Sequence, residues 1–78
     1  MNQQLIFNND FHLVPARSAV CFSCLVAGFK VQCFIAIPAK QDGAEFLQEV
    51  ITNAFSWEDC VEQAIADDAV NETAELWI

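Results

Sequence analysis

What this chain has little of closes off several functions before any motif is considered. It has two glycines in 78 residues, so no Gly-rich loop is present to cradle a phosphate. His12 is the only histidine. Nothing in the spacing sets it beside a thiol for a Cys–His pair, so it reads as a loop or surface side chain. Three basic residues, Arg17, Lys30 and Lys40, stand against eleven acids, a formal net charge of −8. That balance repels nucleic acid and anionic membrane and leaves a basic protein as the complementary partner. A membrane helix needs about 20 predominantly apolar residues. The longest apolar stretch, residues 19–37, is interrupted by Ser23, Gly28, Lys30 and Gln32. Met1-Asn2-Gln3-Gln4 lacks the basic start of a signal peptide, which makes the expected compartment cytoplasmic.

Cys21, Cys24, Cys33 and Cys60 are even in number but fit neither a zinc site nor a disulfide framework. On a strand, Cys21 and Cys24 point to opposite faces, whereas a zinc knuckle needs its C-x-x-C on a turn. Cys24 and Cys33 share a face but are offset along their strands. In a reducing compartment the expectation is free thiols acting as small apolar residues. Cys60 falls in the first turn of a predicted helix, where Glu58, Asp59 and Glu62 oppose its activation as a nucleophile. No catalytic, metal or cofactor constellation is assembled from these residues, and an enzyme is not expected.

Residues 19–37 dominate what is present. AVCFSCLVAGFKVQCFIAI reads as two strands folded back at Ala27-Gly28. A two-residue turn opposes Val26 to Phe29, Cys24 to Val31, Phe22 to Cys33 and Val20 to Ile35, all on one apolar face. Leu25 with Lys30, Ser23 with Gln32, Cys21 with Phe34 and Ala19 with Ala36 form a mixed face. This is the pattern of an antiparallel sheet covered on one side. Ala27 conflicts with it, because a tight primed turn asks its first residue for positive φ.

Around the ribbon, Gln4–Phe7 reads as a short first strand and Asn8-Asn9-Asp10 as a turn. Phe11, Leu13 and Val14 anchor a segment that Pro15 ends. After Pro38 the period becomes helical: Phe46, Leu47, Val50, Ile51, Ala54 and Phe55 share a face, with Asp42 as N-cap and Glu45 completing a capping box. Ser56 is expected to cap a second helix, with Phe55 stapled onto Cys60 and a face of Trp57, Cys60, Val61, Ala64 and Ile65. Asp67 and Asp68 sit at its C-terminal end, against the macrodipole. Asn71-Glu72-Thr73 matches a glycosylation acceptor that has no meaning in a cytoplasm. Ala74–Ile78 alternates as a closing strand, with Ala74, Leu76 and Ile78 inward and Glu75 and Trp77 outward. The predicted fold is a single α+β domain over residues 1–78: two layers, an antiparallel sheet in β-β-β-α-α-β order, and two helices on one face.

The opening MNQ-x-x-x-F, the strand pair AVCFSCLVAGFKVQCFI, the later F-S-W-E-D-x-x-E-x-A-I and the short closing strand resemble a family of small proteobacterial proteins, domain of unknown function 1488. The resemblance covers nearly the whole chain. It implies a compact α+β fold and supplies no activity, cofactor or catalytic residues.

Two functional expectations follow. The first is a protein–protein interaction or regulatory module acting as a homodimer, using an outer sheet face that carries Leu25, Phe34 and Trp77. Against it stands residues 8–17 folding over that face. The second is an acidic nucleic-acid mimic that occupies a basic DNA-binding protein, since residues 41–78 carry ten acids and no base. Glu58, Glu62, Asp67 and Asp68 would contribute to its surface. Mimicry requires the carboxylates in a dense row, and an ordinary solvated helical surface is the plainer use of the same charges.

Overall fold

Strand β3 (Ala19–Val26) and strand β4 (Phe29–Ala36) pair along their whole lengths, from Ala19 opposite Ala36 to Val26 opposite Phe29, in the register that the alternation predicts. Their turn places Ala27 at φ 52° and Gly28 at φ 88°. Both central residues are therefore left-handed, which matches the twist of the strands but strains the Ala. This computed structural model describes residues 5–78. Gln4, expected to open the first strand, lies outside the described residues.

The free edge of β3 is shared by two short strands, β1 (Leu5–Phe7) and β2 (His12–Val14), both antiparallel to it. The segment before Pro15 is thus a paired strand, followed by a 3-10 turn at Pro15–Arg17. On the other side, β5 (Glu75–Trp77) lies beside β4 and runs parallel to it. The sheet is consequently mixed, in the order β1-β3-β4-β5 with β2 also on β3, and not purely antiparallel as expected. The reason is the crossover. One residue, Asn53, separates helix α1 (Gly43–Thr52) from helix α2 (Ala54–Ala66). That is too short for a helical hairpin of 2–5 loop residues. The two helices therefore run as one bent arm and return the chain to the end of the sheet from which β4 set out.

The helices cover the face bearing Val20, Phe22, Cys24, Val31, Cys33 and Ile35, and Val50, Val61 and Leu76 complete this core. Asp42 caps α1 as predicted, its carboxylate accepting the Glu45 N–H at 3.2 Å. Ser56 does not cap α2. The helix begins three residues earlier than expected, with Asn53 at the N-cap position and no side-chain bond there. The face expected over residues 46–55 packs on the core only at Phe46, Leu47 and Val50: Ile51 is 42% exposed at the end of α1, and Phe55 stands 83% exposed instead of stapling onto Cys60, which is itself exposed.

The last turn of α2 closes in a Schellman motif. The Ala69 N–H donates to the Ala64 carbonyl and the Asp68 N–H to the Ile65 carbonyl, both at 3.0 Å. Asp68 takes the left-handed position at φ 59°, where Gly is usual. Asn71 then ties the entry to β5. Its Oδ1 accepts from Thr73 N–H, Thr73 Oγ1 and Glu75 N–H, and its own N–H donates to the Glu75 carbonyl. Ala74 is in a left-handed turn ahead of the strand, and Leu76 is fully buried while Trp77 faces outward.

Replacing Ala27 by Asn relieves the strained first position of the hairpin turn. Ala27→Asn is expected to stabilise the fold by about 1 kcal/mol, read as a higher urea midpoint at unchanged slope.

Candidate functional site

The face of the sheet turned away from the helices gathers most of the chain's polar contacts among strands. Its origin is a gap in pairing. Strand β1 ends opposite Cys24 and β2 begins opposite Cys21, which leaves Ser23 without a backbone partner for its N–H. Asp10, in the connecting loop, fills the gap. Its carboxylate accepts from Ser23 N at 2.7 Å and from Ser23 Oγ at 2.6 Å. Asn8 adds two bonds, from its N–H to the Ser23 carbonyl and from Nδ2 to Ser23 Oγ. Burial alone would raise the Asp10 pKa, but the hydroxyl and N–H of Ser23 outweigh it and hold the carboxyl below its ordinary value.

Toward the other end of this face, Phe34 packs against Trp77 with ring centroids 4.8 Å apart and planes 17° from parallel. The Arg17 guanidinium carbon lies 4.8 Å from the centre of the Phe34 ring, and Nη1 pairs with Glu75 at 3.1 Å. Guanidinium, aromatic rings and carboxylate thus roof the buried Ala19, Cys21 and Phe34 without a second layer of backbone.

The three residues expected to form an outer apolar patch are not brought together. Phe34 is buried at 3% exposure and Trp77 is 46% exposed, side by side. Leu25, half-buried, lies four positions further along β3 and packs beside the 46% exposed Ile6 of β1. Residues 8–17 contribute to the roof through Asp10 and Arg17 rather than lying across the whole face. Of the acids singled out, Glu58 is half-buried and Glu62, Asp67 and Asp68 are exposed on the opposite layer.

One juxtaposition was not readable from the spacing. His12 stands directly opposite Cys21 on the same face. The pair is not an activated thiol: His12 Nδ1 lies 2.7 Å from the Asp10 carbonyl, and Cys21 Sγ contacts the Phe22 carbonyl. Burial pushes the Cys21 thiol up, and Asp10 adds to the effect. In the core, Cys24 and Cys33 approach to 3.9 Å between sulfurs. The contact with Cys24 and then burial push Cys33 well up. Among the described residues, no three His, Cys, Asp or Glu side chains converge in a way that would hold a metal ion. No helix among the described residues is long and apolar enough to cross a membrane.

On the helix side, open clefts flank the core, and two of them are of similar size. One, of 330 Å³, is lined by Leu13, Pro15, Ile37, Pro38 and neighbours. The other, of 340 Å³, lies between the tip of the β3–β4 hairpin and the C-terminal end of α2.

These features define a small two-layer α+β domain whose visible polar chemistry serves to close a sheet face. The chain belongs to the family described as protein of unknown function (DUF1488), matching it over residues 5–78. It is also similar to a crystal structure of a protein of unknown function from the same family, from Shewanella loihica PV-4. That likeness has a TM-score of 0.85 at 20% identity and covers 100% of this chain and 94% of the other, so it speaks for the fold. No curated protein matches the chain.

Two measurements check this description. Titration of the native protein with an aromatic disulfide reagent is expected to modify Cys60 rapidly and Cys21, Cys24 and Cys33 only on unfolding. Asp10→Ala leaves the 2% exposed Ser23 without its acceptor and is expected to cost about 1–3 kcal/mol in urea unfolding. Because the folded carboxyl titrates below the unfolded one, its contribution is present above the unfolded pKa and is lost as pH falls through the folded value. The variant should therefore lose stability less steeply than wild type on acidification. A parallel pH dependence in both would contradict the role given to Asp10.

Proposed function

We propose that this protein is a protein–protein interaction module that acts as a homodimer, two copies meeting through the outer faces of their sheets. The observation that carries this reading is the division of charge between the layers. On the sheet's outer face, Asp10 and Glu75 balance Arg17 and Lys30. The helices and their connecting loops hold the other nine acids against Lys40, and so carry the whole net charge of −8. Two such molecules repel through their helices and approach without penalty through their sheets.

The size of the face fits a weak contact. Two eight-residue strands with the three-residue β1, β2 and β5 beside them, about 4.8 Å apart, present roughly 400 Å² per copy, so a pair buries on the order of 800 Å², the size of a transient encounter. Ile6 and Trp77, each 46% exposed, mark its two ends. A contact of this size with a polar centre is a reversible one. The same features support a non-catalytic role, since Ser23 and Asp10 are engaged with one another, and His12 and Cys21 each with a main-chain carbonyl. The nucleic-acid mimic has no observation of its own in its favour: its carboxylates are divided between two helices and the loop beyond them.

Sedimentation velocity from low to high micromolar concentration tests the proposal. The wild type is expected to shift from monomer to dimer, and Trp77→Arg to remain monomeric while still folding cooperatively, its thermal midpoint lowered by the lost packing on Phe34. A wild type that stays monomeric across the range rules the homodimer out.

A further inference from the structure

The cleft between the hairpin tip and the end of α2 has a floor of Val26, Val31, Ile65 and Val70. Its rim carries Phe29, Asp68, Asn71 and Glu72. An apolar floor of this kind, 340 Å³ and open to solvent, has room for one or two apolar side chains of a partner. Phe29 is 76% exposed beside it, a large aromatic that the chain's own core leaves unpaired with any buried surface.

The rim supplies the second half of the recognition. Asp68 and Glu72 are both exposed carboxylates, and among the described residues no base lines the cleft. Asp68 is also held where a neutral residue would serve the fold better. It occupies the left-handed position that ends α2, where Gly or Asn is usual, and it adds negative charge to the negative end of the helix dipole. The fold thus gains nothing from a carboxylate here, whereas a cation entering the cleft does.

We propose that this cleft is a docking site for a segment of a partner protein that carries a Lys or Arg next to apolar side chains. The apolar side chains fill the floor, Phe29 closes over them, and the base lies between Asp68 and Glu72. A second copy of this chain is a poor occupant, since the neighbourhood of the cleft is part of the acidic layer and copies repel there. The site deepens the interaction reading but uses a different surface from the dimer contact.

A displayed library of random 12-residue peptides, selected on the wild-type chain, supplies the probes. The expected winners carry a Lys or Arg adjacent to Leu, Ile, Phe or Trp. In amide NMR titrations they should shift Val31, Ile65, Val70 and Glu72 while leaving β2 unmoved. The double variant Asp68→Asn, Glu72→Gln keeps a residue that accepts the left-handed turn, so it is expected to fold as well as wild type and bind the same peptides about tenfold more weakly. Winners without a base, a footprint elsewhere, equal binding by the folded double variant, or no enrichment at all would each overturn the proposal. Sedimentation of the same preparation reports the dimer separately. A monomer that binds these peptides at the cleft ends the dimer reading and leaves this one standing.

Discussion

Everything in this molecule hangs on the pairing of β3 with β4. Eight consecutive residue pairs, from Ala19–Ala36 to Val26–Phe29, fix which side chains point to the helices and which to the opposite face. A slip of one residue would invert an entire strand. It would send Val20 and Phe22 out of the core and Ser23 into it. The register holds because two sets of partners select it at once. The apolar set finds Val50, Val61 and Leu76, and the polar set finds Asp10, Arg17 and Glu75.

The second of these sets explains how so short a chain closes a sheet on both sides. A domain of this size buries only about 60% of its unfolded surface, and helices are spent on one face alone. The other face is finished by side chains: a carboxylate standing in for a missing strand at Ser23, and a guanidinium and an indole flanking Phe34. The net charge is thereby sorted between layers, since acids that help the sheet are matched by bases and the rest collect on the helices. The proposed contact with a second copy and the proposed cleft for a basic segment both follow from that sorting.

Much of the fold was legible in the amino-acid order because strand and helix periods differ. The hairpin register, the inward Leu76 and the Asp42 cap each rest on a local pattern with one consistent reading. The direction of β5 was not legible, since alternation in AELWI is the same whichever way a strand runs. It depends instead on whether the helices turn back on each other, which a single residue at Asn53 decides. Phe55 was misplaced together with Ile51: their spacing fits one continuous inward face, but both stand exposed where α1 ends and α2 begins. The outer-face site was only partly visible. The alternation put Trp77 and Phe34 on that face, but the bond from Asp10 to Ser23 spans thirteen positions and joins a loop to a strand, which no periodicity reports. The opposition of His12 and Cys21 was hidden in a three-residue strand just ahead of a proline.

Asn71 has a consequence that reaches beyond a single molecule. By occupying both main-chain groups of Glu75, it leaves Trp77 as the β5 residue whose amide and carbonyl point outward. An added strand needs a run of such groups, so end-to-end growth of sheet upon sheet is blocked on this flank.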